Sequence, residues 1–319
     1  MNDDDAARGR NAHSPSQMTW RGWRDVLWRV WREADADRLM LIAAGTTYYL
    51  LLALFPALAA FVSLYGFFAD PATISGHLSY LAGLLPEDGI KIIRDQLNAL
   101  TAKSERTLSL SFLVAFAIAF WSANSGIKAL FEAMNIVYDE REKRGFITLN
   151  LVAVLYTLGA MAVGLVLITA IGIVPAVLAL VNLGGEADLV IRLARWPLIV
   201  VLIAVGISLI YRYGPSRERA KWRWVTWGGA LATVAWLVVS IGFSFYLENF
   251  AQYNVTYGSL GAVVGFMIWT WLSVLVLLIG GELNSELEHQ TAVDSTTGPP
   301  QPMGQRGAVM ADTLGDPAD

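Results

Sequence analysis

No cysteine occurs anywhere in the chain, which excludes disulfides, thiolate metal sites and cysteine nucleophiles. Histidine is almost as scarce: His13, His77 and His289 are the three among 319 residues. Charge is sparse as well. Asp, Glu, Lys and Arg make up 16% of the chain, against about 25% in an ordinary soluble domain. The deficit is concentrated in long uncharged runs, the pattern of membrane spans. The formal net charge of −4 says little, because much of the acid sits near the ends, at Asp3, Asp4, Asp5, Asp312, Asp316 and Asp319. Sequence motifs of common catalytic centres are missing too: there is no HExxH, no GxxxxGK[ST] and no GxSxG. The first 38 residues are polar, basic and rich in tryptophan, unlike a cleavable signal peptide.

What the chain does contain is 55% hydrophobic residues, laid out in long blocks. Residues 1–17 are polar and read as a disordered tail. Trp20, Trp23, Leu27, Val30 and Trp31 then recur at helical spacing among Arg21, Arg24, Arg29 and Arg32. This pattern predicts an interfacial amphipathic helix over 18–38, lying on the cytoplasmic membrane surface. A membrane domain over 39–288 follows. Its spans are expected at 39–69 with a kink at Pro56, at 108–128 continuing as helix to Tyr138, at 146–174, 189–211, 224–247 and 258–281. The run after residue 174 reads as a re-entrant or surface piece. Between the first two spans, 70–106 is polar, with Ile90, Ile93, Leu97 and Leu100 marking a further amphipathic helix. Beyond His289 the Thr-, Pro- and Gly-rich end, 289–319, reads as disordered. The fold class is all-α: a polytopic membrane protein of six transmembrane helices, with a periplasmic helical segment and an N-terminal interfacial helix.

Lys and Arg near the span ends set the orientation. With six spans, one side receives the arginines of the N-terminal helix, Arg141, Lys143 and Arg144, and Arg212, Arg217, Arg219, Lys221 and Arg223. Both termini are therefore expected in the cytoplasm, with 70–106 in the periplasm.

Polar residues inside or beside these spans are the candidate functional groups, since lipid offers them no partner. Asn124, Lys128, Glu132 and Asn135 are spaced by four, four and three and share one helical face. At the same expected depth, on the cytoplasmic side, fall Arg212, Glu282, Asn284 and Glu286. The expectation is that Glu282 pairs with Lys128 or Arg212 and that this cluster closes the inner end of the bundle. Thr46, Thr47, Tyr48 and Tyr49 form a polar knot within the first span, where buried, hydrogen-bonded tyrosines are expected. Tyr253, Asn254, Thr256 and Tyr257 are placed as a candidate outer mouth, against the plainer reading of an interfacial belt. Gly258, Gly261 and Gly265 allow close helix packing.

Several stretches together resemble the YihY/BrkB family of bacterial inner-membrane proteins. They are AAGTTYYLLLALFP (43–56), WSANSGIKALFEAMNIVYDEREKRGF (121–146), LIYRYGPSRERAKWRWVTWGG (209–229), FAQYNVTYGSLGA (250–262) and GGELNSELE (280–288). The chain departs from that pattern at Thr47, where a small residue is commoner, and at Trp227, where proline is commoner. The resemblance implies a six-helix inner-membrane protein of envelope function, in some members linked to virulence. That family once carried the label ribonuclease BN.

The residues do not suit a ribonuclease. A metal-dependent nuclease gathers His and carboxylate ligands around its ions, and the expected topology puts His77 outside and the other two histidines inside. No catalytic, cofactor-binding or metal-binding residues are therefore expected, and no nucleic-acid partner. The two functional classes that remain are a secondary or passive transporter, with membrane lipids or an envelope lipid or amphiphile as substrate, and a non-transporting scaffold of an envelope complex. A homo-oligomer is compatible with either.

Overall fold

A computed structural model describes residues 3–68, 110–168, 186–249 and 261–318. The helical segment expected at 70–106, the re-entrant piece after 174 and the outer-mouth residues Tyr253, Asn254, Thr256 and Tyr257 lie outside the described residues.

Among the described residues, seven long helices carry the fold: α1 (Trp20–Ala36), α2 (Leu39–Phe68), α3 (Leu110–Val137), α4 (Phe146–Ile168), α5 (Glu186–Tyr213), α6 (Trp222–Asn249) and α7 (Gly261–His289). Their boundaries follow local chemistry. Thr19 caps α1 by accepting a hydrogen bond from the Gly22 amide at 3.2 Å. Arg38 ends α1 in a left-handed conformation (φ 53°), and the chain turns by 60° between α1 and the start of α2. Asp139, likewise left-handed (φ 52°), stops the chain after α3. By length and composition α4, most of α6 and α7, and the second half of α5 can each cross a membrane. The bent pair formed by α1 and Leu39–Leu54 makes a fifth candidate. Leu151, Leu155, Val201, Val205, Val234, Val238 and Ile241 are exposed on these helices, as faces that meet lipid must be.

Two compact units make up the chain. The first comprises Met1–Tyr48, Ala129–Gly145 and Ile203–Asp319. Within it α6 crosses α7 at two glycines. A Cβ on Gly228 would stand 2.0 Å from the Gly280 carbonyl oxygen, so neither backbone has room for a side chain here. Farther along, the two helices exchange indole-to-hydroxyl hydrogen bonds. Trp236 donates to Ser273 at 3.0 Å and Trp269 donates to Ser240 at 3.2 Å. The second unit comprises Tyr49–Lys128 and Phe146–Leu202. There Gly126 of α3 lies against Leu50 and Ala53 of α2.

The terminal tails differ from the expectation drawn from their composition. Residues 3–18 and 290–318 are folded onto the first unit. The short helix Asp3–Ala7 leads to Arg8, which pairs with buried Asp25 at 2.8 Å, while the Arg10 carbonyl accepts from the Ala292 amide at 2.8 Å. The C-terminal residues bond back to distant loops. The Val309 amide donates to Glu140 at 2.8 Å, the Gly315 amide to the His289 carbonyl at 2.9 Å and the Ala318 amide to Asp25 at 3.0 Å. Asp312 accepts from the amides of Gly304, Arg306 and Gly307, which organises the turn before it. Composition reports the lack of apolar residues but not this supply of backbone partners, and those partners account for the order.

Candidate functional site

The polar end of α7 lies in the first unit, where the segment Gly280–His289 turns from apolar to charged. Glu282, Asn284, Glu286 and Glu288 are all buried there. A buried charge is costly without a partner, and two of the three glutamates have one. Glu286 receives a very short hydrogen bond from Arg29, whose guanidinium also reaches Gln290 at 2.8 Å and the Asp316 carbonyl at 2.9 Å. Glu288 is held by Arg217 through two hydrogen bonds, at 2.6 and 3.1 Å, and by the Ser295 hydroxyl at 2.7 Å. The Arg217 guanidinium also lies over the Tyr138 ring, 4.3 Å from its centre. Asn284 accepts from the Gly228 amide at 2.8 Å, which places it at the glycine crossing.

Glu282 is different. It is 1% exposed, its Oε2 has no hydrogen-bond partner, and among the described residues it makes no ion pair. The charges closest to it in effect are acidic: Glu286, Asp37, Glu33 and Asp139. The expected pairing with Arg212, in the same unit, is not formed. Arg212 donates to the Ala220 carbonyl at 2.6 Å and stacks on Trp222, 4.5 Å from its ring centre. Lys128 donates to Asn150 at 3.2 Å and covers Trp121. Residue order gives depth along a helix, but helix rotation decides which groups meet.

The stripe on α3 divides according to what packs beside each turn of the helix. Glu132 is exposed. Asn135 is buried and bridges two loops, accepting from the Ser216 amide at 2.7 Å and donating to Glu142 at 3.2 Å. Burial alone would raise the Glu142 carboxyl, but hydrogen bonds from the Arg144 side chain and backbone and from Asn135 outweigh it and hold it at about 2. At the α1–α2 break, burial pushes Asp37 up to about 6, with the charges of Asp139 and Glu33 adding to the shift.

In the second unit Asn124 and Lys128 both turn to α4. Asn150 accepts from Lys128 at 3.2 Å and from Asn124 at 3.5 Å, and Thr157 reaches Asn124 at 3.5 Å. Asn124 and Thr157 are buried, so a polar line runs between two apolar helices. The knot on α2 also splits. Thr46 and Thr47 are buried, with Thr47 bonded to the Ala43 carbonyl at 2.7 Å, whereas Tyr48 and Tyr49 are exposed rather than buried.

Four partners escaped the sequence reading. Asn150 and Thr157 sit seven residues apart on one face of α4, and that spacing was a usable signal. Spacing alone puts Arg29 among the surface arginines of α1, yet it shares a buried face with Gly22, Asp25 and Val26. Nothing in the local sequence marks Arg217 as the partner of Glu288, 71 residues away.

Long helices with apolar outward faces and charged groups confined to packed ends define an all-helical integral membrane protein. The chain belongs to the virulence factor BrkB family, whose model matches residues 30–304. It is 30% identical over 253 residues to YfkH of Bacillus subtilis (strain 168), named a ribonuclease-like protein, covering 78% of this chain and 90% of that one. It is 25% identical over 262 residues to a UPF0761 membrane protein of Chromobacterium violaceum, covering 81% of this chain and 60% of that one. With a UPF0761 membrane protein of Tolumonas auensis the identity is 26% over 277 residues, covering 81% and 83%. No solved structure matches.

Proposed function

We propose that the protein moves an amphiphile, an envelope lipid or a molecule like one, across the bacterial inner membrane as a secondary or passive transporter. The observation that carries this reading is the polar line Lys128–Asn150–Asn124–Thr157 between α3 and α4. Hydrogen-bonding groups are costly at membrane depth and commonly line the path of a polar headgroup or ion. The apolar outward faces of the helices suit a substrate whose tail stays in lipid. The reading takes six spans with both termini cytoplasmic, needs no cofactor or metal, and assigns no catalytic residue. The ribonuclease-like name belongs to YfkH; cleavage of RNA is not part of this proposal, for want of a histidine and carboxylate ligand set in the sequence.

Reconstitution tests it. Purified protein in liposomes is expected to speed the transbilayer movement of a short-chain fluorescent phospholipid over protein-free vesicles. Asn124→Leu is expected to slow that movement about tenfold, equivalent to ~1.4 kcal/mol, without lowering protein yield. Vesicles with and without protein that behave alike across a panel of headgroups would sink transport and leave the scaffold of an envelope complex.

A further inference from the structure

Of the two buried cations of the first unit that form no ion pair among the described residues, Arg306 spends its guanidinium on three backbone carbonyls, which leaves Arg212. It is 9% exposed, and its Nε is buried without a hydrogen-bond partner. Its contacts are the Ala220 carbonyl and two aromatic faces, Trp222 at 4.5 Å and Tyr213 at 5.5 Å. Arg217, five residues on, shows what the same fold does elsewhere: it pairs fully with Glu288. Arg219 adds a second guanidinium, 5.1 Å from the centre of the same Tyr213 ring, and it is exposed. Among the described residues neither Arg212 nor Arg219 forms an ion pair.

Position and rigidity add to this. Tyr213 closes one candidate span and Trp222 opens the next, so both rings stand at the boundary between apolar and polar surroundings. Trp222 is also the first residue of α6, a 28-residue helix whose dipole favours an anion; the Trp224 amide in its first turn is already bonded to the Lys221 carbonyl at 2.9 Å. The loop between them is fastened to the C-terminal segment. The Lys221 amide donates to the Ser295 carbonyl at 2.8 Å, and the Thr297 amide to the Arg219 carbonyl at 2.8 Å. Lys221 itself is occupied, donating to the Asp294 carbonyl at 2.7 Å.

We infer that Arg212, Arg219 and the first turn of α6 at Trp222 form a binding site for a phosphate group, held at the depth of lipid headgroups. The phosphate oxygens accept from the two guanidiniums, which both lie over the Tyr213 ring, while the rest of the Trp222 ring offers apolar surface to the carbons next to the phosphate. The inference goes beyond the transport reading. It concerns equilibrium binding, which is measured with no flux, so either can fail alone.

The test uses full-length protein in a neutral detergent, with lipid retention followed by native mass spectrometry. Dioleoyl phosphatidylglycerol, dioleoyl phosphatidylcholine and inorganic phosphate are titrated separately. The wild type is expected to retain phosphatidylglycerol at least tenfold more tightly than phosphatidylcholine. Arg219→Gln, an exposed change that leaves the fold alone, is expected to weaken that retention about tenfold, and Arg212→Gln to weaken it further. Arg141→Gln, an exposed arginine on another loop, is expected to change it less than twofold. Retention confined to the lipid identifies a headgroup; tight inorganic phosphate binding lost in the same two variants identifies a soluble phosphate; both outcomes support the site. Equal retention by the wild type and Arg219→Gln, with both phosphates tried, would overturn it whatever Arg212→Gln does.

Discussion

Asp37 illustrates how much a single residue's surroundings matter here. It sits at the break between α1 and α2, and burial with acidic neighbours raises its carboxyl to about 6 from an ordinary 3.8. A carboxyl raised on folding binds its proton more tightly in the folded state. Its stabilising contribution is complete below about pH 4 and disappears as pH climbs through about 6. Asp139, raised mainly by burial, acts in the same direction. Glu142 acts oppositely: held at about 2, it contributes stability above its ordinary 4.5 that is lost only in stronger acid. The midpoint of thermal unfolding in detergent is therefore expected to fall between pH 4 and 7. Asp37→Asn should flatten that fall, raising the midpoint at pH 7.5 and leaving it nearly unchanged at pH 4. Parallel melting curves for the two proteins across the whole range would contradict the assignment.

Among the helices, the pairing of α6 with α7 is the element most tightly specified. At Gly228 an added methyl would meet the Gly280 carbonyl oxygen at 2.0 Å and the Asn284 side chain at 2.5 Å. Neither can yield cheaply, since one is backbone and the other is bonded to the Gly228 amide. Gly228→Ala is expected to cost about 1–3 kcal/mol as overpacking. Gly242, on the same helix, has nothing within 4 Å of a Cβ. There alanine should be neutral or stabilising by up to ~1 kcal/mol, from helix propensity alone. Melting both variants side by side in detergent checks the crossing; equal behaviour would mean that the helices do not meet at these glycines.

The largest question for the whole molecule is its orientation in the membrane. Six spans place Arg141 and Arg223 on the same side as both termini. Each is exposed and lies on a loop or helix end. The chain has no native cysteine, so Arg141→Cys and Arg223→Cys create single labelling sites. An impermeant maleimide is expected to leave both unlabelled in intact cells and to label both after the membrane is opened. Labelling of either in intact cells would refute the orientation and the span count together.

Much of the architecture was legible in the residue order. Uncharged runs located the long helices, though α7 runs on to His289 past the expected end at 281, because a chain in lipid must satisfy its backbone internally and the helix is the local way to do so. The stretches around the glycines and around GGELNSELE were enough to place the chain in its family. Which polar groups meet was not legible. The depth of Glu282 and Arg212 could be counted along their helices, but pairing also depends on the rotation of each helix, which close packing such as that at Gly228 and Gly280 restricts. The tails were misread for a related reason. Their order comes from hydrogen bonds to residues more than a hundred positions away, such as Val309 to Glu140 and Ala318 to Asp25. Local composition carries propensity and hydropathy, whereas partners brought in by the fold decide whether a polar segment is satisfied by protein or by water.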